Sequence, residues 1–213
     1  MDFCRDHVKS EARRVNQRRQ TLAKTLLVSL ILASPLRPGF IAAATESGQP
    51  DRAYDFHLVN EDGHPVRLSD FRGKVVLLSF IFTRCPMPSM CPLVTSKMAQ
   101  VQKAINQTLR DRVVLLSVTF DPAYDTPEVL KEYGERYGAD FSNWRFLTGD
   151  AAEIQASAQN ANVIYEDMGE GNFTHNMNTV LIAPDGTVRQ RFHGSGWKTE
   201  EVIKSIRAIT RGG

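Results

Sequence analysis

The chain has 213 residues, of which 42% are apolar and 23% charged, with a formal net charge of +2. That is enough apolar material for one compact domain with a segment to spare. Lysine and arginine alternate with acids after residue 50, so the pattern excludes a basic nucleic-acid face.

The spare segment is the N-terminus. Arg5, Lys9, Arg13, Arg14, Arg18, Arg19 and Lys24 outnumber Asp2, Asp6 and Glu11, and the apolar run Thr25 to Ala33 follows. Pro35, Pro38 and the small residues Ala42 to Ala44 close it. A basic start, a short apolar stretch and small residues make an export signal. Residues 1–44 are therefore read as a signal cleaved after Ala44, or as an anchor in the inner membrane, on a protein that works in the periplasm. Cys4 falls in that segment, which leaves Cys85 and Cys91 as the cysteines of the exported domain. Residues 45–53 read as a polar linker and residues 54–211 as the domain.

Within the domain, FHLVNEDGHPVRL alternates apolar and polar residues about Asp62-Gly63 and predicts a hairpin. SDFRGK is a connector. Val75 to Phe82 is nearly continuous apolar sequence, as expected of a strand covered on both faces. A helix begins near Pro92, with Val94, Met98, Val101 and Ile105 on its buried face. Arg112 to Phe120 predicts a second buried strand. Thr126 caps the next helix, Pro127 opens it, and Leu130, Tyr133 and Tyr137 share one face. WRFLTG predicts a strand, AAEIQASAQNA a helix, and NVIYE and NTVLIAP strands. MGEGNFTHNMN between those two strands reads as a loop carrying His175. Asp185-Gly186 turns the chain into TVRQRF, and a helix with Val202, Ile203, Ile206 and Ile209 inside ends it. Alternating strands and helices closed by a hairpin and a helix predict an α/β sandwich of the thioredoxin type: a central mixed sheet flanked by helices, with an N-terminal hairpin.

The chemistry gathers where the first buried strand meets a helix, in FIFTRCPMPSMCP. Two thiolates with one imidazole would make a soft-metal site for copper, or zinc; two thiols alone would make a redox switch. Cys91 precedes Pro92 at a helix N-terminus, where the dipole favours a thiolate. Met87, Met90 and Met177 are soft sulfurs nearby, read as loop or core filling. Asp121 and Asp125 flank a turn, where turn and cap chemistry is one reading. His57, His64 and His193 sit in no motif and read as solvated or structural.

FIFTRCPMPSMCP, SVTFDPAYDTPEVLKEYGERYG, WRFLTGD and the late histidine before TVLIAPDGTV together resemble the SCO/SenC family over roughly residues 53 to 211. Those are thioredoxin-fold proteins linked to copper delivery to the CuA centre of cytochrome c oxidase. The resemblance implies Cys85, Cys91 and His175 as ligands of a copper ion, Cu(I) and also Cu(II), and Asp121 and Asp125 as partner-contact or second-shell residues. It also implies an oxidase CuA subunit or another copper protein as partner, and a thiol reductant to keep the pair open. The family's usual spacing is C-x-x-x-C; here five residues separate the cysteines. The alternative is an enzyme, a thiol-disulfide oxidoreductase with Cys85 and Cys91 as its redox pair. Its usual C-x-x-C loop is absent. A peroxidase of the same fold would need a proline and threonine spacing that Thr83-Arg84-Cys85 lacks.

Overall fold

The computed structural model describes residues 50–212. The proposed export segment, Cys4 and the first part of the linker lie outside the described residues. Among the described residues no helix is long and apolar enough to cross a membrane.

The described residues form nine strands and four α-helices in the order β1 (His57–Asn60), β2 (Pro65–Arg67), β3 (Val75–Ile81), α1 (Cys91–Ile105), β4 (Val113–Thr119), α2 (Pro127–Arg136), β5 (Trp144–Thr148), α3 (Ala151–Asn160), β6 (Tyr165–Asp167), β7 (Phe173–His175), β8 (Asn178–Ile182), β9 (Val188–His193) and α4 (Thr199–Arg211). Seven strands form one mixed sheet in the order β2-β1-β5-β4-β3-β8-β9. The central trio β3, β4 and β5 is parallel, and β8, β9, β1 and β2 extend it antiparallel on either side. This is the thioredoxin-like sandwich expected from the alternation of elements.

Every residue of β3 and β4 is buried, because helices cover both faces of the parallel strands. Val75 to Ile81 therefore needs no polar side, and its apolar run suffices. The one polar pair is Ser79 and Ser117, whose hydroxyls meet at 3.1 Å across the two strands. Trp144 Nε1 donates to Ser117 Oγ at 3.1 Å, which satisfies the largest buried side chain of the core.

The hairpin predicted at Asp62-Gly63 is present, with Gly63 at φ 77°, a backbone conformation that a side chain would oppose. Buried Glu61 joins this hairpin to β5: its carboxylate accepts from Phe146 N at 2.9 Å and pairs with Arg145 at 2.7 Å. Asp51, Arg52 and Ala53, read above as the end of a linker, lie against the β8–β9 region. Ala53 N donates to Gly186 O at 3.1 Å and Asp51 pairs with Arg191.

One element departs from the sequence reading. MGEGNFTHNMN is not all loop: Phe173–His175 form β7, which pairs antiparallel with β6 as a separate two-stranded sheet. Tyr165 lies opposite His175 in that register. Its turn holds Gly169, Glu170 and Gly171, all at positive φ, so polar composition concealed a tight hairpin.

Candidate metal centre

The chain leaves β3 through Phe82, Thr83 and Arg84 before reaching Cys85. The exit is fixed by Asp125, a fully buried carboxylate that accepts from Thr83 N at 3.1 Å and from the hydroxyls of Thr83 and Thr119. Thr119 is the last residue of β4, so one carboxylate ties the ends of two parallel strands together. Asp121 lies beside it, 4% exposed, and accepts from Arg84 Nη2 at 2.6 Å. Both aspartates thus stand almost wholly buried behind the cysteine loop. Burial raises the Asp125 carboxyl above its usual range, opposed by the Thr119 and Thr83 hydrogen bonds.

Cys91 is the first residue of α1 and is fully buried; Cys85 is half-buried on the loop before it. Thr95 Oγ1 donates to Cys91 O at 2.9 Å and meets Tyr133 OH at 3.0 Å, which pins the first turn of α1. The inserted segment is a turn in its own right: Met90 N donates to Met87 O at 3.0 Å. Met87 is 51% exposed, Met90 packs partly against the core, and Met177 is buried.

The two thiols are not equivalent, and the order differs from that expected at the helix tip. The hydrogen bond from Cys91 pulls the Cys85 thiol down to about 4, against the opposing cost of its partial burial. Cys91 moves the other way, because it gives that hydrogen bond and because burial opposes its charge. The dipole at the start of α1 favours charge on Cys91, but desolvation of a buried sulfur outweighs it.

His175 comes from the end of β7. Its Nδ1–H donates to Asn176 O at 2.9 Å, which turns the Nε2 lone pair toward the thiols, 3.9 Å from Cys91 Sγ. Phe120 and Phe82 flank the ring, with centroids 4.9 Å and 5.7 Å away. Phe173 and Tyr165 extend this aromatic wall and dock the hairpin onto it. One ligand atom from each of Cys85, Cys91 and His175 lies within 4.8 Å of the others. Three ligands holding an ion at roughly 2.0–2.3 Å stand about 3.5–4 Å apart, so the cluster needs only a small contraction to close on one.

Among the described residues, the other histidines stay outside. His57 faces Glu153 at 3.8 Å, and His193 Nδ1 lies 2.9 Å from Asn178 Oδ1. The residues that sequence reasoning missed are the braces. Phe82, Arg84, Phe120 and Tyr124 lie inside the quoted motifs, but their part as braces shows only once segments far apart in sequence converge.

The SCO1/SenC family profile matches residues 44–211. The chain is 34% identical over 159 residues to the SCO1 protein homolog of Bacillus subtilis, covering 73% of this chain and 81% of that one. It is 31% identical over 136 residues to a Stutzerimonas stutzeri protein named for copper binding, covering 62% and 64% of the two. Among solved structures it superposes on BsSco, described as a member of the Sco family of cytochrome c oxidase assembly proteins and as holding a disulfide switch. That match has a TM-score of 0.67 and 29% identity over 76% of this chain and 95% of the other. Profile, relatives and architecture agree: this chain belongs to the SCO1/SenC family.

Proposed function

We propose that the protein is an exported copper carrier that binds the ion through Cys85 Sγ, Cys91 Sγ and His175 Nε2 and delivers it to the CuA site of cytochrome c oxidase. The observation that carries the reading is the convergence of one ligand atom from each of those residues within 4.8 Å, from three different parts of the fold. Two sulfurs and a neutral imidazole form a soft, three-coordinate set suited to Cu(I). The copper-binding name of the Stutzerimonas relative and the oxidase-assembly role stated for BsSco support the same direction.

In this reading the residues divide the work. Cys85, half-buried and already a thiolate at neutral pH, meets the incoming ion first. Cys91 then gives up its proton as the metal replaces it between the sulfurs. Asn176 O holds the imidazole tautomer that presents Nε2. Copper leaves by ligand exchange with the partner's own donors, with no change in its oxidation state. A disulfide between Cys85 and Cys91 would block uptake, so a thiol reductant, itself oxidised to a disulfide, must supply two electrons, with one proton going to Cys91, before each oxidised molecule can load. Residues 1–44 would export the protein to the periplasm and either be removed or hold it at the inner membrane.

The test is titration of the reduced protein with Cu(I) against a chromophoric chelator. One equivalent should bind, and His175→Ala, Cys85→Ser and Cys91→Ser should each bind at least about tenfold more weakly. Cu(II) should give sulfur-to-copper charge-transfer bands that vanish in either cysteine variant. A reduced protein that takes up no copper, or a histidine variant that binds as tightly as the parent, removes the assignment.

A further inference from the structure

The side chain just before Cys85 reaches the hairpin that carries His175. Arg84 Nη2 donates to Asp121 Oδ2 at 2.6 Å, and the guanidinium carbon lies 3.9 Å from the centroid of the Tyr124 ring. The same guanidinium rests on the backbone of Gly171 in the β6–β7 turn. A Cβ at Gly171 would fall 2.5 Å from both Cζ and Nη1 of Arg84. Gly171 also sits at φ 75°, which reserves the position for glycine, and a side chain there would displace the guanidinium.

We propose that Arg84 is a latch: it clamps the far end of the β6–β7 hairpin onto the cysteine loop and so sets the reach between His175 and the two thiols. The proposal rests on reading those three residues as the copper ligands. A two-stranded hairpin is marginal by itself. The histidine end of this one is docked by Phe173 and Tyr165 on Phe82 and Phe120, and by Asn176 N donating to Ile164 O at 3.1 Å. Its turn has no comparable apolar anchor: Met168 is 63% exposed, and Asp167 and Glu170 face solvent. Arg84 supplies the missing contact. Asp121 holds it from below, its side chain 5% exposed and its N–H donating to Thr119 Oγ1 at 2.9 Å. Only a planar fork can pair with the carboxylate, lie by the ring and leave a flat face against a glycine backbone; a lysine ammonium keeps the charge but not the plate. Arg84 is thus a positioning residue that acts through His175.

Arg84→Ala, Arg84→Lys and Gly171→Ala each open the latch by a different route. In the reduced, metal-free protein, amide hydrogen exchange at Met168, Asn172 and Asn176 should quicken about tenfold in Arg84→Ala, while β3 and β4 amides keep their rates and report an intact fold. Cu(I) affinity should fall about tenfold in all three variants. In a His175→Ala background the arginine change should add nothing, because the latch has no histidine left to position. Unchanged hairpin exchange in Arg84→Ala overturns the latch. So does an affinity loss that persists undiminished without His175. A parent protein that binds no copper instead sinks the ligand assignment, and the exchange measurement still decides whether Arg84 holds the hairpin.

Discussion

A thiol ionises at the pH set by the groups that hydrogen-bond its charged form and by the cost of bringing that charge out of water. For Cys85 the first outweighs the second: it accepts from Cys91, and because part of its surface stays in solvent the opposing desolvation is the smaller effect. Its folded-state pKa is depressed to about 4, so the thiolate is present above that value and is lost only as pH falls through it. Alkylation of the reduced, metal-free protein by iodoacetamide should therefore modify Cys85 first, at a rate nearly flat from about pH 6 to 8, where an ordinary thiol's rate climbs steeply. In Cys91→Ala the donor is gone, and the profile should move toward an ordinary thiol with its midpoint near about 8.5. A rate that rises through pH 8 in the parent, or modification of Cys91 first, contradicts this division between the sulfurs. Sequence could place both cysteines at the strand-to-helix junction but not rank them. A helix tip is legible in Cys91-Pro92, whereas the burial that reverses its effect depends on what packs above it.

Strands and helices position the proposed ligands, and their joints decide how well. Three donors from the ends of β3 and β4 satisfy the fully buried Asp125. Asp125→Ala would leave Thr83 N and two hydroxyls without their acceptor in a dry place. It should cost about 3 kcal/mol in urea unfolding and loosen the exit of β3 that aims Cys85. Because burial raises the folded-state pKa of this carboxyl above its unfolded value, the parent's contribution from this group is largest below the unfolded pKa. It declines as pH rises through the folded one. Asp125→Asn, which carries no ionisable proton, should flatten that portion of the stability-versus-pH curve; an unchanged curve would show the group does not titrate as described. The elements themselves were mostly open to sequence reading, since β3 and β4 announce themselves as unbroken apolar runs and α2 by Thr126-Pro127. β7 was not. Three residues between glycines and asparagines carry no period, and what makes them a strand is the aromatic wall of Phe82 and Phe120, which lies elsewhere in the chain.

At the scale of the whole molecule, the site sits where three separately anchored pieces meet: the β3 exit loop, the start of α1 and the β6–β7 hairpin. The first two belong to the main sheet and its covering helix, while the hairpin is a second sheet joined to the first by aromatic packing and by Arg84. A metal bound by ligands from both sheets cross-links them. Folding and binding are then linked, because the unfolded chain holds its cysteines and histidine apart and binds far more weakly. Cu(I) buffered at about 1,000 times the dissociation constant should add about 4 kcal/mol to the unfolding free energy of the reduced protein. In His175→Ala the same buffered Cu(I) should add clearly less, since two sulfurs remain on one sheet and nothing ties down the other. Hydrogen exchange gives the spatial version of the same argument. Copper should slow exchange at the hairpin amides Met168 and Asn172 in the parent, and leave them at their metal-free rates in the histidine variant. Copper that stabilised both proteins equally, with the hairpin as quick to exchange as before, would mean that the ion is held by the thiols alone and that His175 stands by without binding.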